Sequence, residues 1–125
     1  MALTTAGINF LSQAAIGQGT PFNAANARLG VGDGEDLFVA SQTNLTGTNT
    51  LRKGMDTGFP LVSPPVVTFK STFNPGEANF AWKEWGIFNA GSGGVMLNRV
   101  VESNGTKKNN QTWVLEVSIT FALGT

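Results

Sequence analysis

The run Trp113-Val114-Leu115-Glu116-Val117-Ser118-Ile119-Thr120-Phe121-Ala122-Leu123 alternates along its whole length. Trp113, Leu115, Val117, Ile119, Phe121 and Leu123 fall on one face; Val114, Glu116, Ser118, Thr120 and Ala122 fall on the other. A period of two is that of a β-strand with one buried face. Residues 66–73 repeat the pattern, with Val67, Phe69, Ser71 and Phe73 opposite Val66, Thr68, Lys70 and Thr72. Between these two runs, residues 80–89 are rich in aromatics, and Gly91 to Gly94 turn that run back into residues 95–101, the arrangement of a hairpin.

The remaining segments fit the same class. Residues 27–32 read as a short strand, and Gly32-Gly34 with Asp33, Glu35 and Asp36 as a turn. Residues 38–42 fit one helical turn, and 43–50 a loop. Residues 51–62 read as one strand whose Gly54, Gly58 and Pro60 mark a bulge or an edge. Near the start, Thr4 and Thr5 can cap a helix over 5–16, where Ile8, Leu11 and Ala15 recur at helical spacing with Phe10 and Ala14 beside them; Gly17 and Gly19 stop it. This helix either plugs one end of the core or serves as an arm that docks on a neighbour. Six strand-like segments with regular turns predict a mainly β protein: a single-domain antiparallel β-sandwich over 27–125, with a short N-terminal α-helix or arm in 1–20.

Composition narrows the function. The chain has 125 residues, enough for one domain with one core. Apolar residues make up 41% and charged residues only 13%, so Asn, Thr, Ser, Gln and Gly must form much of the surface. Eight Lys plus Arg balance eight Asp plus Glu, without the basic excess of a nucleic-acid binder. No apolar run approaches the roughly 20 residues of a membrane span, and residues 1–17 carry no basic leader. The chain therefore reads as a soluble protein made in the cytosol, with no nucleic-acid or membrane partner. Three Asn-x-Thr triplets, at Asn44, Asn104 and Asn110, fit chance in so Asn- and Thr-rich a chain.

The residues that usually move protons or attack carbonyls are scarce. Cys, His and Tyr are absent, which removes thiol, disulfide and imidazole chemistry. Glu77 and Glu84 are seven apart and fall on opposite faces of a strand, a poor acid–base pair. Glu84 shares a strand face with Phe80, Trp82 and Phe88, so its carboxylate needs a partner, Arg99 or Arg52, in a structural ion pair. Asp33, Glu35 and Asp36 offer oxygen ligands for Ca²⁺ but miss the EF-hand spacing, and a surface turn accounts for them. Gly30-Val31-Gly32-Asp33-Gly34 is a fragment of a phosphate-cradling loop without its Gly-Lys-Ser/Thr. No catalytic residue, metal or cofactor is expected. The tryptophans at 82, 85 and 113 read as core or interface anchors; alternation places Trp82 and Trp85 on opposite faces, one for the core and one for an interface.

Several motifs together resemble a known class. Leu29-Gly30-Val31-Gly32-Asp33-Gly34, Ala40-Ser41-Gln42-Thr43-Asn44-Leu45 and Leu51-Arg52-Lys53-Gly54-Met55 are followed by Gly76-Glu77-Ala78-Asn79-Phe80, then Trp82, Glu84-Trp85-Gly86-Ile87-Phe88-Asn89-Ala90 and Met96-Leu97-Asn98-Arg99. The chain resembles, over nearly its whole length, small structural proteins of tailed bacteriophages, variously tail-fibre-like or head-decoration proteins. That resemblance implies a non-enzymatic virion component, made in the host cytoplasm. The chain ends directly after its best strand, with no fibre shaft, which favours a capsid decoration (cement) protein. By analogy its partners are the major capsid protein and copies of itself in a homotrimer. The expected contacts are Leu3, Ile8, Phe10 and Leu11 of the arm, Phe38 and Leu45 in the loop 36–45, Arg52 and Phe59 in 52–59, and Trp85. A tail, baseplate or fibre-adaptor subunit is the alternative within the same class. A carbohydrate-binding module that stacks sugars on Trp82 or Trp85 is the alternative outside it.

Overall fold

The computed structural model describes residues 2–124. Two antiparallel sheets pack face to face. The first is built from β1 (Arg28–Gly32), β2 (Thr50–Gly54), β5 (Glu84–Phe88) and β6 (Met96–Val101) in the order β2-β1-β5-β6. The second holds β3 (Leu61–Ser63), β4 (Val66–Phe73) and β7 (Trp113–Thr120) in the order β3-β4-β7. One helix, α1 (Thr5–Ala14), precedes them. The sandwich and the N-terminal helix are thus as the hydrophobic periods require.

The alternating runs behave as read. In β7, Ile119 is buried and Trp113, Leu115 and Val117 are half-buried, while Val114, Glu116, Ser118 and Thr120 face outward. In β4, Phe69, Ser71 and Phe73 are buried. Their inner faces meet those of the first sheet in two clusters. Ala27, Leu29, Ile87 and Leu97 pack against Phe69 and Ile119. Val31, Phe73, Ala78 and Trp82 pack with Trp113 and Leu115 at their margin. The Trp82 ring meets Phe73 and Trp113 edge to face, with centroids 4.9 and 5.0 Å away, the offset that ring quadrupoles favour.

Four expectations require correction. Residues 51–62 are not one strand: β2 belongs to the first sheet and β3 to the second. Gly54 ends β2, Gly58 takes a φ of 88°, and Asp56 ties the crossing to β4. Its carboxylate accepts from the Thr72 N–H and hydroxyl, and its N–H donates to Lys70 O. Residues 80–89 form a strand only from Glu84, because Ala78 turns sharply at a φ of 52°. Residues 80–83 instead bond irregularly to 102–107, through Trp82 N–H to Gly105 O and Lys107 N–H to Phe80 O. Residues 38–42 make a single hydrogen-bonded turn, Gln42 N–H to Val39 O, in place of a helical one. The last strand ends at Thr120, where β4 runs out at Val66; Phe121 N–H donates to Pro65 O and both Phe121 and Leu123 lie exposed.

Helix α1 packs against β6, at the edge of the first sheet. Thr4 caps it by accepting the Gly7 N–H at 2.9 Å, and its own N–H donates to Leu97 O. Leu3 forms an antiparallel bridge with Asn98, so the N-terminal segment closes the outer edge of β6. The face that packs is Gly7 and Phe10, while Ile8, expected on the apolar stripe, is 56% exposed. Gly7 decides this: a Cβ there would stand 2.5 Å from Leu97 O, so only glycine lets the helix approach so closely. Phe10 then meets Phe22 edge to face at 4.9 Å.

The buried Lys107 joins two loops, donating to Asn74 O and Asn79 Oδ1 at 2.9 and 2.8 Å. Phe10→Ala is expected to cost about 3 kcal/mol of unfolding free energy, since it empties the seam between α1 and the sheets. Urea denaturation checks it; an unchanged midpoint would mean that α1 is peripheral to the fold.

Candidate functional site

The outer face of the first sheet carries the protein's most elaborate polar construction. Glu84, Gly86 and Phe88 share that face of β5, and Gly30 and Gly32 lie beside them on β1, in register with Gly86 and Glu84. The glycines form a floor. A Cβ on Gly30 would stand 2.6 Å from the Phe88 ring, and one on Gly32 2.5 Å from Glu84 Oε2. A Cβ on Gly34 would collide with Thr46 Oγ1 and Glu84 Oε2, and one on Gly47 with Asp33 Oδ1. The space that these side chains would fill holds the Glu84 carboxylate and the loop 33–47.

Glu84 is fully buried and pairs with the equally buried Arg99, Nε to Oε1 at 2.7 Å. This is one of the two partners that the sequence allowed. Phe88 shares Glu84's face as read, but Trp82 and Phe80 do not, because they precede the strand and pack against the inner core. The carboxylate also accepts three backbone N–H groups: Gly34 and Gly47 on Oε2 at 2.9 and 2.8 Å, and Thr46 on Oε1 at 3.0 Å. From the other side, the guanidinium donates to Asp36 O at 2.8 Å, Thr46 Oγ1 at 3.0 Å and Gln42 Oε1 at 3.3 Å. Both charges are therefore paired and hydrogen-bonded, the condition under which a buried pair is tolerated. Around them Gln42 staples the loop to itself, accepting from Val39 N–H and donating to Leu37 O. Thr5 N–H donates to Ala40 O, joining α1 to the loop.

The loop so held presents Leu37, 85% exposed, and Val39, 53% exposed. Neither was singled out from the sequence, which pointed instead to their neighbour Phe38. Phe38 is half-buried. The other expected contacts scatter. Leu45 is buried against Phe88 and Met96, and Phe10 is buried under α1. Leu3 and Leu11 are half-buried on the helix seam. Phe59 is half-buried, with the Lys70 ammonium 5.5 Å from its ring. Arg52 lies 3.7 Å over the Phe88 ring and donates to Ala90 O, Gly93 O and Asn44 Oδ1, so it anchors the β5–β6 turn. Of the nine expected contact residues only Ile8 is exposed.

The turn carboxylates part company. Asp33 accepts from the Asn49 backbone and amide N–H groups, Glu35 pairs with Lys83 at 2.6 Å, and Asp36 is engaged through its backbone carbonyl, by Arg99. Among the described residues no three Asp or Glu side chains converge where they could hold a metal ion.

The tryptophans divide unevenly. Trp82 is buried, its indole N–H bonded to Ala78 O and its ring held between Phe73 and Trp113, so it offers no stacking platform. Trp85 is half-buried: its ring packs against both core clusters and its indole N–H donates to Glu102 at 2.8 Å. Openings remain, among them a recess of about 240 Å³ beside the end of α1, lined by Phe10, Ala14, Gln18 and Pro21 among others. An apolar cleft of about 200 Å³ lies between α1 and the sandwich, lined by Phe10, Leu11, Phe22, Phe69, Ile119 and Phe121 among others. A shallower, more polar groove of about 450 Å³ runs along Trp82, Glu102, Asn104, Thr112 and Trp113.

Compared with known family models, curated proteins and solved structures, the chain matches none.

Two measurements test the site. Glu84→Gln leaves the buried Arg99 without a counter-charge, at an expected cost of about 3–5 kcal/mol, and should open the loop 33–47 to proteolysis. Stability within about 1 kcal/mol of wild type would refute the pair's role. The second is acid sensitivity. The Asn49 amide and backbone N–H hold Asp33 below its ordinary pKa of 3.8, and the Lys53 ammonium with the Asn74 N–H holds Glu77 below 4.5. A depressed carboxylate contributes its stability fully above the ordinary value and loses it as pH falls through the folded one. The melting temperature should hold down to about pH 5 and fall below it, with Asp33→Asn flattening part of the decline.

Proposed function

We propose that the protein is a non-enzymatic structural component of a tailed-bacteriophage virion, a capsid decoration protein that binds the shell through preformed contacts. The observation that carries this reading is the fixed loop 33–47, which holds Leu37 and Val39 out to solvent on a buried ion pair. A loop held in advance loses little conformational entropy on binding. Exposed aliphatic side chains at its tip suit an apolar recess on a protein partner better than a sugar or a phosphate. The motifs that resemble those of phage structural proteins fall largely on this construction: Gly30, Gly32, Gly34, Gln42, Glu84, Gly86 and Arg99 all belong to it. The partner in this reading is the major capsid protein, and the location is the virion.

Co-sedimentation with separated heads and separated tails tests it. Saturable binding to heads, weakened at least about tenfold by Leu37→Asp with Val39→Asp, is the expected result. Binding to tails alone would move the protein to the tail or baseplate. Binding to heads that ignores the double substitution would remove the loop from the contact.

A further inference from the structure

The sandwich has four sheet edges, and three are blunted. The β2 edge carries Arg52 and Lys53, with Lys53 paired to Glu77 at 2.6 Å. The β3 edge is three residues long and flanked by Pro60, Pro64 and Pro65, which lack N–H donors. The β6 edge is closed by Leu3 and the Thr4 N–H. These are the usual protections against strand addition. The β7 edge has none of them. It runs regularly for eight residues, contains no proline, glycine or bulge, carries one charge, Glu116, and is the last strand of its sheet.

The register shows which groups that edge offers. On β4, Lys70 O accepts from Asp56 N–H and Thr72 N–H donates to Asp56 Oδ1, so these two residues turn their backbones away from β7. Ser71 and Phe73 therefore bond to Leu115 and Trp113, their partners in register. By the alternation of an antiparallel ladder, Val114, Glu116, Ser118 and Thr120 point their N–H and C=O groups outward.

We infer that the outward edge of β7 pairs antiparallel with β7 of a second copy, joining two three-stranded sheets across a twofold axis at Val117. The second copy is the occupant that the residues fit. Like must bond with like across such an axis, even-numbered residues to even-numbered ones, which leaves two registers that use seven of the eight residues. With the axis at Glu116, that carboxylate faces its own copy, which is unfavourable. With the axis at Val117, Glu116 faces Ser118 of the partner copy and Val114 faces Thr120. On the inner face Leu115 then faces Ile119, Val117 faces itself, and Phe121, 48% exposed in the single chain, comes opposite Trp113. The zero net charge lets two copies approach without long-range repulsion. An isologous contact of this kind closes as a dimer. It differs from the threefold assembly implied by the resemblance, and it holds wherever the protein resides.

Sedimentation equilibrium of the full chain is the test. The wild type should be a dimer that dissociates on dilution. Ser118→Glu and Ser118→Lys both lose the hydrogen bond to Thr68 Oγ1, so any harm to folding is common to them. Ser118→Glu sets two carboxylates face to face and should raise the dimer Kd about tenfold or more, whereas Ser118→Lys faces Glu116 and should keep or lower it. Val117→Cys, the only cysteine in its chain, should form an intermolecular disulfide on mild oxidation, because facing residues of a non-bonded pair stand about 4.5 Å apart at Cα. A monomer at every concentration, a mass of three chains, or equal effects of Glu and Lys at position 118 would overturn the pairing. So would failure of Val117→Cys to cross-link.

Discussion

The buried pair of Glu84 and Arg99 is the interaction on which the outer half of this protein depends. A carboxylate and a guanidinium removed from water each carry a desolvation cost of several kcal/mol. That cost is offset only if every remaining lone pair and N–H finds a partner. Here the partners are supplied by one loop, residues 33–47, whose backbone gives Glu84 three N–H groups and Arg99 one carbonyl. Loop and ion pair are therefore conditions of each other: without the loop the charges are stranded, and without the charges the loop loses the bonds that hold it to the sheet.

That mutual dependence explains the glycines. Five of them, at 30, 32, 34, 47 and 86, stand where a single methyl group would strike the pair, the loop or a neighbouring strand. Gly86 is the clearest, since its Cβ would lie 2.7 Å from Asn98 O on the adjacent strand. Glycine in a strand weakens it. The sheet accepts that weakening because the alternative, a filled floor, would exclude the charged construction above it. A sequence feature that looked like part of a phosphate loop is thus a clearance for a carboxylate.

The two faces of the first sheet do different work. The inner face packs Leu29, Val31 and Ile87 against the second sheet, the ordinary hydrophobic stabilisation of a sandwich. The outer face is polar and buried by a loop. Arg52 extends that logic, with its guanidinium over Phe88 and its donors bonded to the turn that joins β5 to β6. Most long side chains that looked available for contact are thereby engaged within the chain, and what remains exposed is a short list of aliphatics: Leu37, Val39, Leu61, Val62, Val114 and Leu123 among them.

The sequence by itself determined the local periods. Alternation in 66–73 and 113–120 specified two strands and their buried faces, because a strand's side chains alternate whatever its neighbours are. The glycine run at 91–94 specified the β5–β6 hairpin, and a carboxylate sharing a strand face with Phe88 required a cationic partner, found at Arg99. Only the tertiary structure decided how these pieces associate. Residues 51–62 split between two sheets because Gly54, Gly58 and Asp56 form a crossing that no periodicity reports. The face of α1 that is buried was decided by clearance at Gly7 against Leu97, which outweighed the apolar stripe through Ile8. The exposure of Leu37 beside the half-buried Phe38 was decided by bonds from Gln42 and Arg99, 57 positions apart in sequence. Periodicity is a property of the chain, whereas clearance and long-range hydrogen bonding are properties of the packed whole.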